Sequence, residues 1–126
     1  MKTAHDLVAA AKSSIKEVSL EEASQAIQEA DILLDVREAD EYANGHIPGA
    51  THISRGLLEF KLSNDPNLSA RDLKIVLYCK NGGRAALASK SLHDMGYRQV
   101  QSISGGFDAW AEAGNPIAKP ESIRFE

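Results

Sequence analysis

The sequence predicts an α/β fold, a parallel sheet with helices on both faces, on three observations. Short apolar runs recur at 32–36, 51–53, 75–78 and 100–103, segments of helical period lie between them, and glycine or proline marks several of the joins. A run such as Ile32-Leu33-Leu34-Asp35-Val36 lacks the alternation of a strand with one wet face, so it suits a strand covered on both sides. Strands alternating with helices then imply parallel crossovers.

Taken in order, Leu7, Val8, Ala11 and Ile15 recur at helical spacing and predict an amphipathic N-terminal helix laid against the domain. Ser19-Leu20-Glu21-Glu22 has the pattern of a capping box, and Ala23, Ala26, Ile27 and Ala30 continue one stripe, which predicts a helix from Leu20 to Glu29. Val18 marks the end of an edge strand. After the strand at Ile32 come the turn signals Gly45, Pro48 and Gly49, then Thr51-His52-Ile53 as a second clear strand. Ile75 to Tyr78 is the third, and Val100 to Ile103 the fourth. Between these two, Arg84 to Leu92 reads as a helix with Gly96 at its C-terminal cap.

The length, 126 residues, fits one domain with a core of its own, and a net charge of -4 offers no broad basic face to nucleic acid or anionic lipid. The single cysteine excludes an internal disulfide. With four scattered histidines it also lacks the spacing of a metal site, so no metal is expected. The apolar run from Leu7 to Ala11, bracketed by Asp6 and Lys12, is too short and too charged for a leader or a membrane span, which points to a cytoplasmic protein. No heptad pattern commits the surface to a partner, so a monomer is expected.

Chemistry concentrates where the third strand runs into Cys79-Lys80-Asn81-Gly82-Gly83-Arg84. Gly82 and Gly83 permit positive φ and close backbone approach, so successive N–H groups can turn inward around the sulfur. The first N–H groups of the helix that follows have no intrahelical partner and add positive potential. Both effects favour thiolate. Lys80 and Arg84 place two cations beside this cradle, and the guanidinium can fork onto a carboxylate or an oxyanion. Asp35 and Cys79 both close strands at their carboxyl ends, where ligands bind in such sheets.

Four motifs in one order resemble the single-domain rhodanese, or thiosulfate sulfurtransferase, family. They are the Asp35-Val36-Arg37 strand end, the Gly45-His46-Ile47-Pro48-Gly49-Ala50 turn, the Cys-x-x-Gly-x-Arg loop at Cys79, Gly82 and Arg84, and Gly105-Gly106 followed by Trp110. The resemblance implies a rhodanese-like, five-stranded parallel sheet over residues 18–126, with residues 1–17 as an N-terminal helical extension. It implies that Cys79 takes up a sulfane sulfur as a persulfide, and that the loop backbone across Lys80, Asn81, Gly82, Gly83 and Arg84 holds the sulfur. Asp35, Arg37 and His46 would support the site, with an Asp35–Arg84 charge pair as one arrangement. For His46 a hydrogen-bonding role in its turn is expected, and for Gly105, Gly106 and Trp110 roles in turn and core.

The expected reaction is a two-step transfer from an anionic donor such as thiosulfate to a thiol or cyanide acceptor, or to an acceptor protein, with no cofactor. Two other classes share the features. A rhodanese-like sulfur carrier or partner-binding module would keep the fold without turnover. A cysteine-based phosphatase or arsenate reductase fits less well, because its loop places five residues between Cys and Arg where this chain has four, and a histidine where this chain has Tyr78.

Overall fold

A computed structural model describes residues 1–120. Eleven regular elements follow one another: α1 (Ala4–Lys12), β1 (Lys16–Val18), α2 (Leu20–Glu29), β2 (Ile32–Asp35), α3 (Ala39–Ala43), β3 (Thr51–His52), α4 (Leu58–Asn64), β4 (Lys74–Tyr78), α5 (Gly83–Asp94), β5 (Gln99–Ile103) and α6 (Gly106–Glu112). The strands form one five-stranded sheet in the order β1-β5-β4-β2-β3, parallel throughout. The sheet expected from the apolar runs is therefore present, with Lys16–Val18 as its edge.

Side-chain alternation divides the core into two layers. Leu34, Ile75, Leu77 and Cys79 join Leu58, Leu62, Ala85, Ala88 and Leu92 on one side, whereas Leu33, Val76 and Tyr78 join Ala23, Ile103 and Trp110 on the other. Adjacent residues of one strand thus serve opposite faces, as the uninterrupted apolar runs require. Helices α4 and α5 cover the first face; α2 and α6 cover the second.

The helix boundaries have local causes. Ser19 Oγ accepts the Glu22 N–H at 3.3 Å and starts α2, and Thr3 with Asp6 forms the reciprocal capping pair that starts α1. Helix α1 ends at Lys12, so Ile15 lies beyond it instead of continuing its stripe. Helix α5 closes at Met95, and Gly96 adopts φ +97° immediately after, as a left-handed C-terminal glycine does. Among the described residues no helix is long and apolar enough to cross a membrane.

Candidate active site

Parallel pairing of β2 with β4 sets Asp35 opposite Tyr78, so the carboxyl ends of the two strands share one rim, and Cys79 follows directly. The turn after it is tight. Gly82 takes φ +112° as the N-cap of α5, and its N–H points back to Cys79 Sγ at 3.1 Å. Behind it the N–H groups of Arg84 and Ala85 precede the first intrahelical bond, from Ala86 N–H to the Gly82 carbonyl at 2.9 Å, and keep their donor capacity at the helix start. The Gly83 N–H is turned elsewhere, to Asn81 Oδ1 at 3.4 Å. The cradle expected from the two glycines is narrower than a full ring of inward amides.

Cys79 itself is fully buried, and it belongs to the core layer that includes Val36, Leu77, Ala85 and Ala88. The loop is held from outside by the start of α6. Phe107 N–H donates to the Cys79 carbonyl at 2.8 Å, and Asp108 N–H to the Lys80 carbonyl at 3.0 Å. For that approach Gly106 must lack a side chain. A Cβ there would lie 2.6 Å from the Cys79 oxygen and 2.7 Å from that of Lys80, at φ +60°. The Gly105-Gly106 pair, read from the sequence as a turn, is also the seat of the Cys79 loop.

Each of the two loop cations has a carboxylate partner. Arg84 forks onto Glu41 of α3, with Nη1 to Oε1 at 2.7 Å and Nη2 to Oε2 at 3.0 Å, and Lys80 Nζ meets Asp108 at 3.0 Å in a more exposed pair. The hydrogen bonds from Arg84 pull the Glu41 carboxyl down to about 2 against the opposing effect of burial, while Glu41 raises Arg84, and Cys79 adds to that. Glu41 was missed in the sequence because it lies 43 residues from Arg84 on a helix of five residues, too short for periodicity to show. Its only local signal is the bond it accepts from the Glu38 N–H at 3.0 Å, a carboxylate capping a first turn.

The expected Asp35–Arg84 pair does not form, because Arg37 captures the carboxylate first. Its backbone N–H, Nε and Nη2 all donate to Asp35, at 2.9, 3.1 and 2.7 Å, with both side chains buried. Burial lowers the Arg37 pKa, but the bonds to Asp35 and its charge outweigh that and the net shift is upward. Nη2 also donates to the Gly45 carbonyl at 2.7 Å, and the guanidinium lies 4.3 Å from the Phe107 ring centre. One ion pair thus ties β2, the Gly45 turn and α6 together.

His46 sits in that turn away from the sulfur's hydrogen bonds. Its Nδ1 lies 3.3 Å from the Tyr42 carbonyl, its ring stacks on Tyr42 at 3.9 Å, and its backbone exchanges two bonds with Ala118. Tyr78, buried on the opposite face from Cys79, accepts the Ile47 N–H at 3.0 Å, and burial together with Asp35 pushes its phenol far up. Among the described residues no cluster of His, Cys, Asp and Glu could hold a metal ion.

Because the Glu41 pKa is depressed on folding, its pair with Arg84 adds stability that is complete above the ordinary carboxylate pKa of 4.5 and fades as pH falls toward about 2. With the two side chains 34% and 24% exposed, solvent screening holds the contribution to about 1 kcal/mol. Thermal melts of Glu41→Gln and wild type should therefore differ at pH 7, draw together as the pH falls below 4.5, and converge only once it has passed below about 2. A gap that persists unchanged into acid would assign the effect to packing.

A rhodanese-like domain model matches residues 19–113, a span that holds the sheet from Ser19 onward, the Cys79 loop and α6. The chain belongs to the rhodanese-like family. It is 34% identical over 109 residues to a sulfurtransferase of Allochromatium vinosum, covering 85% of this chain and 98% of the relative. It is 32% identical to the thiosulfate sulfurtransferase GlpE of Haemophilus influenzae, over 82% of this chain and 95% of that one. Among solved structures it resembles RPA3614 of Rhodopseudomonas palustris, described as a protein of unknown function and a possible tyrosine phosphatase. The TM-score is 0.86 at 34% identity, over 94% of this chain and 96% of that one.

Proposed function

We propose that this rhodanese-like protein is a sulfurtransferase in which the Cys79 thiolate takes the outer sulfur of thiosulfate or a similar sulfane donor and passes it to a thiophilic acceptor. The observation that carries this reading is the Gly82 N–H directed at Cys79 Sγ at 3.1 Å from the start of α5. The amide donor, the unpaired helix N–H groups and the nearby Arg84 give the sulfur anions of the reaction positive groups to lie against. In the first half-reaction a sulfur–sulfur bond forms to Cys79 as the donor's own breaks, and sulfite leaves with the electron pair. In the second, the acceptor attacks the terminal sulfur and Cys79 departs as thiolate.

Loop length favours sulfur over phosphate. Four residues separate Cys79 from Arg84, and the guanidinium is clamped by Glu41, so this side chain braces the loop. A phosphatase of related loop needs a wider amide ring to receive three phosphoryl oxygens. The likeness to RPA3614 makes that the reading to test against. Intact-protein mass after thiosulfate treatment should rise by one sulfur and fall again on cyanide, with thiocyanate released; turnover of an aryl phosphate without any sulfur uptake would reverse the assignment. Sulfur uptake with negligible turnover would instead mark a carrier.

The two loop cations should separate in the same assay. Arg84→Ala loses a bidentate contact that links the loop to α3 and is expected to lower kcat/KM by about tenfold or more, whereas Lys80→Ala loses an exposed pair and should cost about threefold or less. Equal losses would refute the bracing role of Arg84.

A further inference from the structure

Helix α1 lies outside the 19–113 match, yet its last two turns rest on the Cys79 loop. Ala11 is fully buried, Val8 Cγ2 would be 3.7 Å from a Cβ on Gly83, and Lys12 Nζ would be 3.9 Å from a Cβ on Gly82. Gly82 is the residue whose N–H bonds the sulfur. These short spans place the Lys12 ammonium within about 10 Å of Cys79 Sγ. Arg84 and Lys80 are engaged by Glu41 and Asp108, whereas Lys12 forms no ion pair among the described residues.

We propose that Lys12 is a donor-binding residue whose ammonium receives the oxyanion end of an anionic sulfane donor while the outer sulfur meets Cys79. The proposal rests on the sulfurtransferase reading and names its substrate class: donors that carry negative charge a bond or two beyond the transferred sulfur. Lys12 transfers no proton. It draws the dianion toward a loop whose own cations are already paired, and it stands against the charge that sulfite carries away. A cation near a doubly charged donor, in solvent and at moderate salt, is worth roughly a three- to tenfold gain in second-order rate. Its place in the last turn of α1 also suits the helix dipole, so the charge-preserving arginine variant is the control for helix stability.

The experiment compares wild type, Lys12→Gln and Lys12→Arg. Two probes of Cys79 need no sulfur transfer: alkylation by iodoacetate, an anion, and by iodoacetamide, its neutral analogue. Lys12→Gln should lower kcat/KM for thiosulfate and the iodoacetate rate by about three- to tenfold and flatten the salt dependence of both. The iodoacetamide rate should stay within about twofold, and Lys12→Arg should restore the anion rates. Unchanged anion rates in Lys12→Gln, or an equal loss with iodoacetamide, would overturn the role of Lys12. Absence of sulfur uptake by the wild-type protein would overturn the sulfurtransferase reading itself, and the donor role with it.

Discussion

Cys79→Ser is expected to abolish sulfur uptake, lowering thiosulfate turnover by at least about a thousandfold while the protein stays folded. The loss follows from the nucleophile: a serine hydroxyl remains protonated at neutral pH, and its oxygen forms no stable equivalent of the persulfide. The fold survives for a local reason. The oxygen that replaces a fully buried sulfur still finds the Gly82 N–H as donor, so the new polar atom is hydrogen-bonded instead of stranded among Val36, Leu77 and Ala85. A cost of about 1 kcal/mol or less is expected from denaturant unfolding. Residual transfer near the wild-type rate, with a normal unfolding curve, would remove covalent catalysis at this position.

The largest stability effect should come from a residue that makes no hydrogen bond to the sulfur. Asp35→Ala leaves the Arg37 guanidinium buried without its carboxylate, and losing one partner of such a pair costs about 3–5 kcal/mol. Melting temperature should fall by roughly 10–20 °C. Arg37→Met should be milder, because Asp35 keeps the backbone N–H of residue 37 and can take up a proton, which a guanidinium cannot shed. The double variant should recover part of the loss of Asp35→Ala, since it removes the orphaned charge. A single Asp35→Ala variant within about 1 kcal/mol of wild type would show that the pair is solvated and does not anchor the Gly45 turn.

These two residues also show how far the chain could be read without coordinates. Cys79 stands out because apolar run, lone thiol, paired glycines and arginine are consecutive, and consecutive residues share local geometry whatever the rest of the fold does. The edges of α2 and the four apolar strands were legible for the same reason: period, caps and burial are written over a few neighbouring positions. Helices α3, α4 and α6 were not assigned, being five to seven residues long, too few for a stripe to establish its period. Asp35 ends β2 where the apolar run meets charge, but its partner is not legible as Arg84, because Arg37 is two residues away and reaches it with three donors.

By itself the sequence determined the kind of sheet, its strand segments and the thiol at the end of one of them, since hydrophobic period and turn chemistry are local properties of the chain. Only the tertiary structure decided which charges meet: Glu41 with Arg84, Asp108 with Lys80, and Lys12 over the loop without an ion-pair partner among the described residues. The physical reason is that an ion pair depends on distance in space, and α1, α3 and α6 reach the Cys79 loop only after the parallel crossovers have packed them around it.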